Sequence, residues 1–399
     1  MLAGSFPATA ATMETSTIPV GSSPRNVAFT PDGSEAYVAN WESNTVSVID
    51  VASGVVTSTI AVGPLPIGVA FTPDGSKAYV TSVSSGTVSV INVATGMMTS
   101  TISVGESPTA VAFTPDGSTA YVNSTSTDTV SVVNVATGTW TSSIEVGELP
   151  GAIAFTPDGS VAYVTNGQDS NMVSVIDVGS KTLSGTIEVG PSPSGVAFTP
   201  DGSTAYVANN ESSTVSVIDV ESGTEASRIA VGLSPDSVAI APDGSRAYVT
   251  NSGSNTVSVI DVASGAVTST IAVETPPGHV AVAPDGSAVY VTNTFDNTVS
   301  VITVNAAGPV FTAATPPAKA NMRAAYSYTF DATGAPAPAF QVSSGALPPG
   351  LTLDAATGVL SGTPTKAGRF TFRVTATNGL SPDAVTAPIS ITVTKAKAR

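Results

Sequence analysis

The chain has 399 residues, of which 42% are hydrophobic and only 11% are charged, with no cysteine and a formal net charge of −16. The lack of cysteine excludes disulfides, thiolate metal sites and cysteine nucleophiles, and the strong negative charge argues against nucleic-acid binding and docking on anionic lipid. No apolar run approaches the roughly 20 residues of a membrane-spanning helix, so we expect no membrane insertion.

The N-terminal residues divide into a tail and a lone strand. Residues 1–13 are mostly small or polar and predict a flexible segment. Residues 15–21, Thr-Ser-Thr-Ile-Pro-Val-Gly, align with residues 57–63, Thr-Ser-Thr-Ile-Ala-Val-Gly, at an offset of 42. The chain therefore begins with a copy of a strand that recurs later within a repeated unit.

That unit is marked by the triplet Pro-Asp-Gly, which occurs seven times at spacings of 42 or 43 residues. The copies begin at Pro31, Pro73, Pro115, Pro157, Pro200, Pro242 and Pro284. A strict period near forty residues with strand-like content is typical of propeller blades. Proline, aspartate and glycine each favour a tight turn for a separate reason, so we interpret the seven triplets as structural turns.

The second copy predicts the strands of one blade. Its β-branched and aromatic runs cover residues 69–71, 78–81, 87–93 and 99–104, and turn residues separate them. These runs predict a four-stranded antiparallel blade. A single blade cannot bury both of its faces, whereas seven copies stacked radially can close into a ring.

The last copy predicts how the ring closes. Its pattern is lost at residues 305–308, so it lacks a fourth strand of its own. Residues 14–20 should supply that strand by pairing beside residues 298–304. The sequence thus predicts an all-β fold with a seven-bladed β-propeller over residues 14–305, closed by the N-terminal strand.

Three copies carry the tetrapeptide Tyr-Val-Thr-Asn, at residues 163–166, 248–251 and 290–293, and the other four differ from it mildly. With the Pro-Asp-Gly, Thr-Val-Ser-Val-Ile-Asp and Thr-x-x-Val-Gly motifs at matching spacing, residues 14–305 resemble the YVTN family of β-propeller repeats. The resemblance implies a secreted or cell-surface protein, commonly of a surface layer, and frequent joining to Ig-like domains.

From residue 306 the repeat is absent. Strand-like runs at 325–330, 339–342, 351–353, 370–376 and 389–393 predict an Ig-like β-sandwich over residues 306–395, followed by a basic tail at 396–399. The segments Leu-Pro-Pro-Gly-Leu-Thr-Leu-Asp and Thr-Gly-Val-Leu-Ser-Gly-Thr-Pro resemble Ig-like domains of bacterial surface proteins. That resemblance implies a role as a spacer or adhesion unit.

The residues offer little for catalysis. His279 is the only histidine, so sites that need several histidines are excluded, and we expect no metal, no cofactor and no catalytic set. Calcium-loop and phosphate-loop motifs are absent as well. Paired carboxylates stay open, because acidic residues are plentiful and their pairing depends on the fold.

In a repeat protein, binding residues are sought where a copy departs from its own consensus. The loops before the first strand and between the second and third strands should share one face, opposite Pro-Asp-Gly. Reading the first of these loops in blade order gives Arg25, Ile67, Thr109, Gly151, Ser194, Asp236 and Gly278-His279. The departures that we predict to form a binding site are Arg25, Trp41, His279 and Phe295, around the junction of blades one and seven. An aromatic staple within each loop is the alternative role for Trp41 and Phe295.

Two functions remain open from the sequence. The first is a non-catalytic extracellular or cell-surface binding or adhesion protein, monomeric, that recognises a protein or glycan at the channel mouth. The second is a propeller enzyme, a lyase, hydrolase or carbohydrate-active enzyme, with a carboxylate-based site at that mouth. A fold alone does not decide between them.

Overall fold

The computed structural model describes residues 13–167, 170–274, 276–304, 307–335, 338–378 and 383–395. The described residues form two compact units, one of residues 13–303 and one that includes residues 304–395. The predicted domain boundary between residues 305 and 306 lies outside the described residues. Residues 1–12 of the predicted flexible segment and the tail at 396–399 lie outside them too.

The first unit contains seven four-stranded antiparallel sheets, each of which is one blade. Strand β1 (Met13–Pro19) precedes them. Blades one to three are built from β2 (Pro24–Phe29), β3 (Glu35–Asn40), β4 (Thr45–Asp50), β5 (Val55–Ala61), β6 (Pro66–Phe71), β7 (Lys77–Ser82), β8 (Thr87–Asn92), β9 (Met97–Ser103), β10 (Pro108–Phe113), β11 (Thr119–Ser124), β12 (Thr129–Asn134) and β13 (Thr139–Glu145).

Blades four to seven continue the pattern. Their strands are β14 (Pro150–Phe155), β15 (Val161–Asn166), β16 (Met172–Asp177), β17 (Thr182–Glu188), β18 (Pro193–Phe198), β19 (Thr204–Asn209), β20 (Thr214–Asp219), β21 (Thr224–Ala230), β22 (Pro235–Ile240), β23 (Arg246–Asn251), β24 (Thr256–Asp261), β25 (Ala266–Ala272), β26 (Pro277–Val282), β27 (Ala288–Asn293) and β28 (Thr298–Val304). Two single 3₁₀ turns, Val83–Ser85 and Val93–Thr95, flank β8.

The first strand of every blade is longer than the sequence predicted. In blade two the expected run was residues 69–71, whereas β6 begins at Pro66. The pairing with β7 shifts between Pro66 and Val69, which is a β-bulge. Proline is suited to the first position of a strand, because it has no N–H to donate to the ladder.

The Pro-Asp-Gly triplets form the predicted turns between the first and second strands. In blade one, the Asp32 carboxylate accepts hydrogen bonds from the Thr30 hydroxyl at 2.6 Å and the Ser34 N–H at 3.0 Å. Gly33 follows with a φ of 73°, in the left-handed region that glycine tolerates. The Thr30 hydroxyl and the Ser34 N–H also hold the pKa of Asp32 down at about 2. The triplet aspartate is therefore part of the turn.

The seven blades close into a ring. Each first strand contacts the first strand of the next blade, from β2 through β6, β10, β14, β18 and β22 to β26, and β26 contacts β2 again. The N-terminal strand β1 pairs with β28 as the outermost strand of blade seven. The Val20 N–H also donates to the Asn297 carbonyl at 2.9 Å. The predicted closure by the N-terminal strand is confirmed.

The interfaces between blades contain a repeated aromatic pair. At five of the seven interfaces, a tyrosine of one blade's second strand packs on a phenylalanine of the next blade's first strand, with ring centroids 4.7–5.1 Å apart. The pairs are Tyr290–Phe29, Tyr37–Phe71, Tyr79–Phe113, Tyr121–Phe155 and Tyr163–Phe198. Blades six and seven carry Ile240 and Val282 in place of the phenylalanine.

Side-chain hydrogen bonds join most of the same interfaces. In five blades, the fifth residue of the second strand donates from its side chain to a carbonyl in the next blade's first strand. The bonds are Thr81 to Thr109 at 2.9 Å, Asn123 to Gly151 at 2.9 Å, Thr165 to Ser194 at 2.7 Å, Thr250 to Gly278 at 2.7 Å and Thr292 to Arg25 at 3.1 Å. Blades one and five have Ala39 and Ala208 at this position, and alanine offers no donor there.

The second unit is the predicted Ig-like β-sandwich. Its strands are β29 (Ala307–Ala313), β30 (Lys319–Asn321), β31 (Tyr326–Thr329), β32 (Asp331–Ala335), β33 (Ala339–Gly345), β34 (Leu351–Leu353), β35 (Val359–Gly362), β36 (Gly368–Thr377), β37 (Ala384–Val385) and β38 (Ile389–Thr394). The two larger sheets have the orders β30-β38-β36-β33 and β31-β35-β34. Phe330, Phe340, Leu360 and Phe372 are buried in its core.

Candidate functional site

The first strands of the ring line a central channel that encloses about 740 Å³. Much of the lining is apolar, and the fourth residue of each first strand is always Val or Ile: Val27, Val69, Val111, Ile153, Val196, Val238 and Val280. This volume lies within the range of about 300–1,000 Å³ that is usual for small-molecule sites.

Three ionisable side chains line the described part of the channel, Arg25, Asp236 and His279. They come from β2, β22 and β26, which are the first strands of blades one, six and seven. These three blades are consecutive in the closed ring, and we call them the charged sector. The equivalent positions of the other four blades carry uncharged residues, so the channel has one charged side.

The sequence predicted that Arg25 and Trp41 would lie on one face of the ring, and the structure places them in direct contact. The Arg25 guanidinium carbon lies 5.2 Å from the centroid of the Trp41 ring, which is a cation–π distance. The Trp41 backbone N–H donates to the Ser23 carbonyl at 3.0 Å and fixes the loop before β4. Trp41 is half-buried and Arg25 is exposed. Trp41 thus supports Arg25 at the channel mouth.

Phe295 lies in the corresponding loop of blade seven. The Thr294 hydroxyl donates to the Pro24 carbonyl at 3.0 Å, and the Asn297 side-chain oxygen accepts from the Ser23 N–H at 2.8 Å. These bonds hold the loop against the residues that lead into β2. The Phe295 side chain itself is 75% exposed, so it projects into solvent on the same face as Trp41.

The position of Arg25 and His279 differs from the prediction, which placed both in loops before the first strands. Strands β2 and β26 begin at Pro24 and Pro277, so both residues lie inside strands that line the channel. The cause is the bulge after each proline, which extends the strand toward the mouth.

His279 is held by a shared hydroxyl. Its backbone N–H donates to the Thr292 hydroxyl at 2.9 Å, and this hydroxyl donates to the Arg25 carbonyl at 3.1 Å. Burial lowers the pKa of His279 to about 4, although a hydrogen bond with the Val27 backbone opposes the shift. The imidazole is therefore neutral at pH 7, and its Nδ1 has no hydrogen-bond partner among the described residues.

Asp236 belongs to the same group, although it was not among the predicted site residues. Asp236 is exposed where it faces the channel, yet burial within the surrounding ring raises the pKa of Asp236 to about 6 against the opposing effect of Arg25. The signal in the sequence was an acidic side chain at the second position of a first strand, the same position as Arg25 in blade one.

Two further classes of feature are absent from the described part of the chain. No group of three or more histidine, aspartate or glutamate side chains there is arranged to hold a metal ion. No helix there is long and apolar enough to cross a membrane. The ionisable groups that the described residues place in the channel are one guanidinium, one carboxyl group and one neutral imidazole.

The architecture is thus that of a closed seven-bladed propeller joined to an Ig-like domain. Residues 6–188 and 184–315 match the family described as "Lactonase, 7-bladed beta-propeller", and the chain belongs to this family. Residues 290–394 match the family described as "Putative Ig domain". Both matches confirm the fold predicted from the sequence.

The other comparisons with known proteins bear on the fold only. No curated protein matches the chain. A solved structure titled "Kuenenia stuttgartiensis Hydrazine Synthase" is similar, with a TM-score of 0.67 and 23% identity over 71% of this chain and 96% of that chain. At this level of identity, the similarity concerns the propeller fold.

Proposed function

We propose that the protein is a non-catalytic binding protein of the cell surface or the extracellular space. Its propeller recognises a protein or a glycan at the channel mouth through Arg25, Trp41, His279 and Phe295, and its Ig-like domain serves as a spacer. The observation that carries this proposal is the contact between Arg25 and Trp41 beside the channel. Aromatic and arginine side chains that are packed together are the usual anchors of binding sites.

The composition and the family resemblance of the repeats support the proposed location. Residues 1–307 carry 26 acidic and five basic side chains, a surface that stays soluble and repels nucleic acids. The tandem of a repeat propeller with an Ig-like domain resembles surface-layer proteins. We infer a monomer that needs no cofactor.

The test compares the two tryptophans of the chain. Trp41 supports Arg25, whereas Trp140 is 51% exposed on strand β13 of blade three. Glycan-array binding and pulldown from extracellular material are measured for the wild type, Trp41→Ala and Trp140→Ala. Loss of an anchor of about 2 kcal/mol weakens binding about 30-fold in Trp41→Ala. Retention by Trp41→Ala together with a large loss of stability would assign Trp41 to the loop staple instead.

Hydrolysis of a lactone is the second candidate function, and the family match favours it. Asp236, whose pKa of about 6 suits a general base, lies in the same enclosed channel as Arg25, whose positive charge would stabilise an oxyanion. A panel of five- and six-membered lactones, assayed by proton release, tests this activity. A rate above buffer that falls about 10²-fold or more in Asp236→Asn would assign the chain to the enzymes.

A further inference from the structure

Two opposite charges face the channel without contacting each other. Arg25 and Asp236 both line it. Among the described residues, no acidic oxygen lies within 4 Å of the Arg25 guanidinium, and neither side chain has a hydrogen-bond partner. The aspartates of the turns differ in this respect, since the Asp50 carboxylate, for example, accepts from the Ser53 N–H at 2.8 Å. The charges of Arg25 and Asp236 are therefore available to a ligand.

The ring separates these two charges by one blade and leaves the position between them open. Arg25 and Asp236 are the second residues of β2 and β22, in blades one and six. Strand β26 of blade seven contacts both of these strands, and its second residue is Gly278, which has no side chain. Arg25 is still close enough to oppose the rise in the pKa of Asp236. A small ligand that lies over Gly278 can thus reach both charges.

The balance of charge in the channel disfavours a ligand with a charge of one sign. Burial lowers the pKa of His279 to about 4, so this third ionisable group is neutral at pH 7 and one positive and one negative charge remain. Asp236 repels an anion bound to Arg25, and Arg25 repels a cation bound to Asp236. A molecule that carries both charges is attracted at both ends. A guanidinium binds a carboxylate through two parallel hydrogen bonds, and a carboxylate accepts from an ammonium group.

We propose that the channel mouth binds a small zwitterion, with its carboxylate on Arg25 and its ammonium group on Asp236. This charge pattern is that of a free amino acid. The inference goes beyond the proposed recognition of a protein or a glycan, because the ligand is a small molecule and Asp236 is not part of that recognition site. The two sites have only Arg25 in common.

Calorimetric titration of the full chain at pH 7 tests the charge pattern. The zwitterions are glycine, β-alanine, 4-aminobutyrate and 6-aminohexanoate, whose charged groups lie progressively farther apart. Butyrate and butylammonium supply one charge each. The best zwitterion should bind at least tenfold more tightly than either, because it makes hydrogen bonds to two charged groups instead of one. The Trp41 ring lies 5.2 Å from the Arg25 guanidinium, so its fluorescence gives a second readout.

Two variants that each remove one charge should have opposite effects on the single-charge ligands. Asp236→Asn and Arg25→Gln should both weaken the best zwitterion at least tenfold. Asp236→Asn should bind butyrate at least as tightly as the wild type does, and Arg25→Gln should do the same for butylammonium. Both side chains are exposed, so an unchanged Tm is expected and shows that each variant is folded.

Two controls keep the local charge pattern. Arg25→Lys keeps the positive charge, and Glu211→Gln removes an exposed acid from the blade-five loop that is equivalent to the loop of Trp41, outside the channel lining. Both should still prefer the zwitterion. Equal affinities for the zwitterions and the single-charge ligands, retained zwitterion binding in Asp236→Asn or Arg25→Gln, or an equal loss in Glu211→Gln would overturn the proposal. Glycan-array and pulldown binding should persist in Asp236→Asn, so that failure of either proposal is recognised separately.

Discussion

Replacing Ile18 with alanine tests how much the ring depends on its N-terminal strand. Ile18 is the deeply buried residue of β1, only 4% exposed, and it packs with Val27, Ile49 and Val299. Ile60 occupies the equivalent place 42 residues later, in β5, and is 6% exposed. The two isoleucines form a matched pair that differs in chain connectivity.

The magnitude follows from the buried atoms. An Ile→Ala change in a core costs about 2–5 kcal/mol, and we take about 3 kcal/mol at both sites because their burial is nearly equal. For a unit that spans residues 13–303, that free energy lowers Tm by about 5 °C. The two variants should differ in how easily the mutated strand detaches from its sheet. Within the ring, β1 is connected along the chain only to β2, so Ile18→Ala can release it alone and expose the edge of β28, whereas β5 is connected to both β4 and β6.

Thermal melts monitored by circular dichroism measure the loss of stability that both variants share. Limited proteolysis under native conditions measures the difference in local strand opening. Ile18→Ala should be cut between residues 13 and 22 well below its Tm, and Ile60→Ala should resist cleavage to the same temperature. Deletion of residues 1–21 should reproduce the Ile18→Ala behaviour in stronger form, with association through the open edge. If either the truncation or Ile18→Ala melted at the wild-type temperature, the closure argument would be refuted.

Three more predictions concern the ring and the channel. Thr292→Val removes the hydroxyl that joins blades seven and one, and Thr165→Val removes its counterpart in blade four. Each should cost about 1–3 kcal/mol in urea unfolding, and only Thr292→Val should also weaken binding at the channel mouth. The folded-state pKa of His279 is lowered to about 4, so its contribution to stability is complete above pH 6.5 and is lost as the pH falls toward 4. Wild type should therefore lose up to about 3 kcal/mol more than His279→Gln between these pH values, and parallel losses would contradict this origin. A Cβ on Gly195 would lie 2.8 Å from the Ser237 Cα, so Gly195→Ala should lower Tm, whereas Gly185→Ala, with nothing within 4 Å, should not.

Most of the propeller could be predicted because the repeat reports the same structure seven times. The Pro-Asp-Gly spacing predicted the blades, and the offset between residues 15–21 and 57–63 predicted the closure. The starts of the first strands could not be predicted in this way. Residues 24–26 and their equivalents contain proline and mostly small residues, which favour a loop locally, and only the neighbouring second strand makes them a bulged strand. In the Ig-like domain, Val359–Gly362 was missed as a strand for a similar reason, since it is short and ends in glycine.

Some departures from the repeat consensus near the candidate site were visible in the sequence, and others were silent. Arg25 and Trp41 were visible, because a charge and a large ring replace smaller residues, and the structure brings them into contact. Asp236 was visible but isolated in the sequence, since its relation to Arg25 depends on the ring closing between blades one and seven. The changes to Ile240 and Val282 in blades six and seven were silent, because an apolar residue that replaces another apolar residue leaves the sequence pattern intact.

The hydrogen bonds between blades explain why these departures can act together. The fifth residue of the second strand has no side-chain donor in blades one and five, where Ala39 and Ala208 stand. Other side chains bridge the interface between blades five and six, because the Ser194 hydroxyl and the Asn210 amide both donate to the Pro235 carbonyl, at 3.1 Å and 3.2 Å. From blade six through blade seven to blade one, Thr250 and Thr292 keep the consensus bond, at 2.7 Å and 3.1 Å. Seven identical blades would present the same surface in every direction and could not orient a ligand. Here three consecutive blades that are joined to one another carry Arg25, Asp236 and His279, and a rigid group of this kind is what a binding site requires.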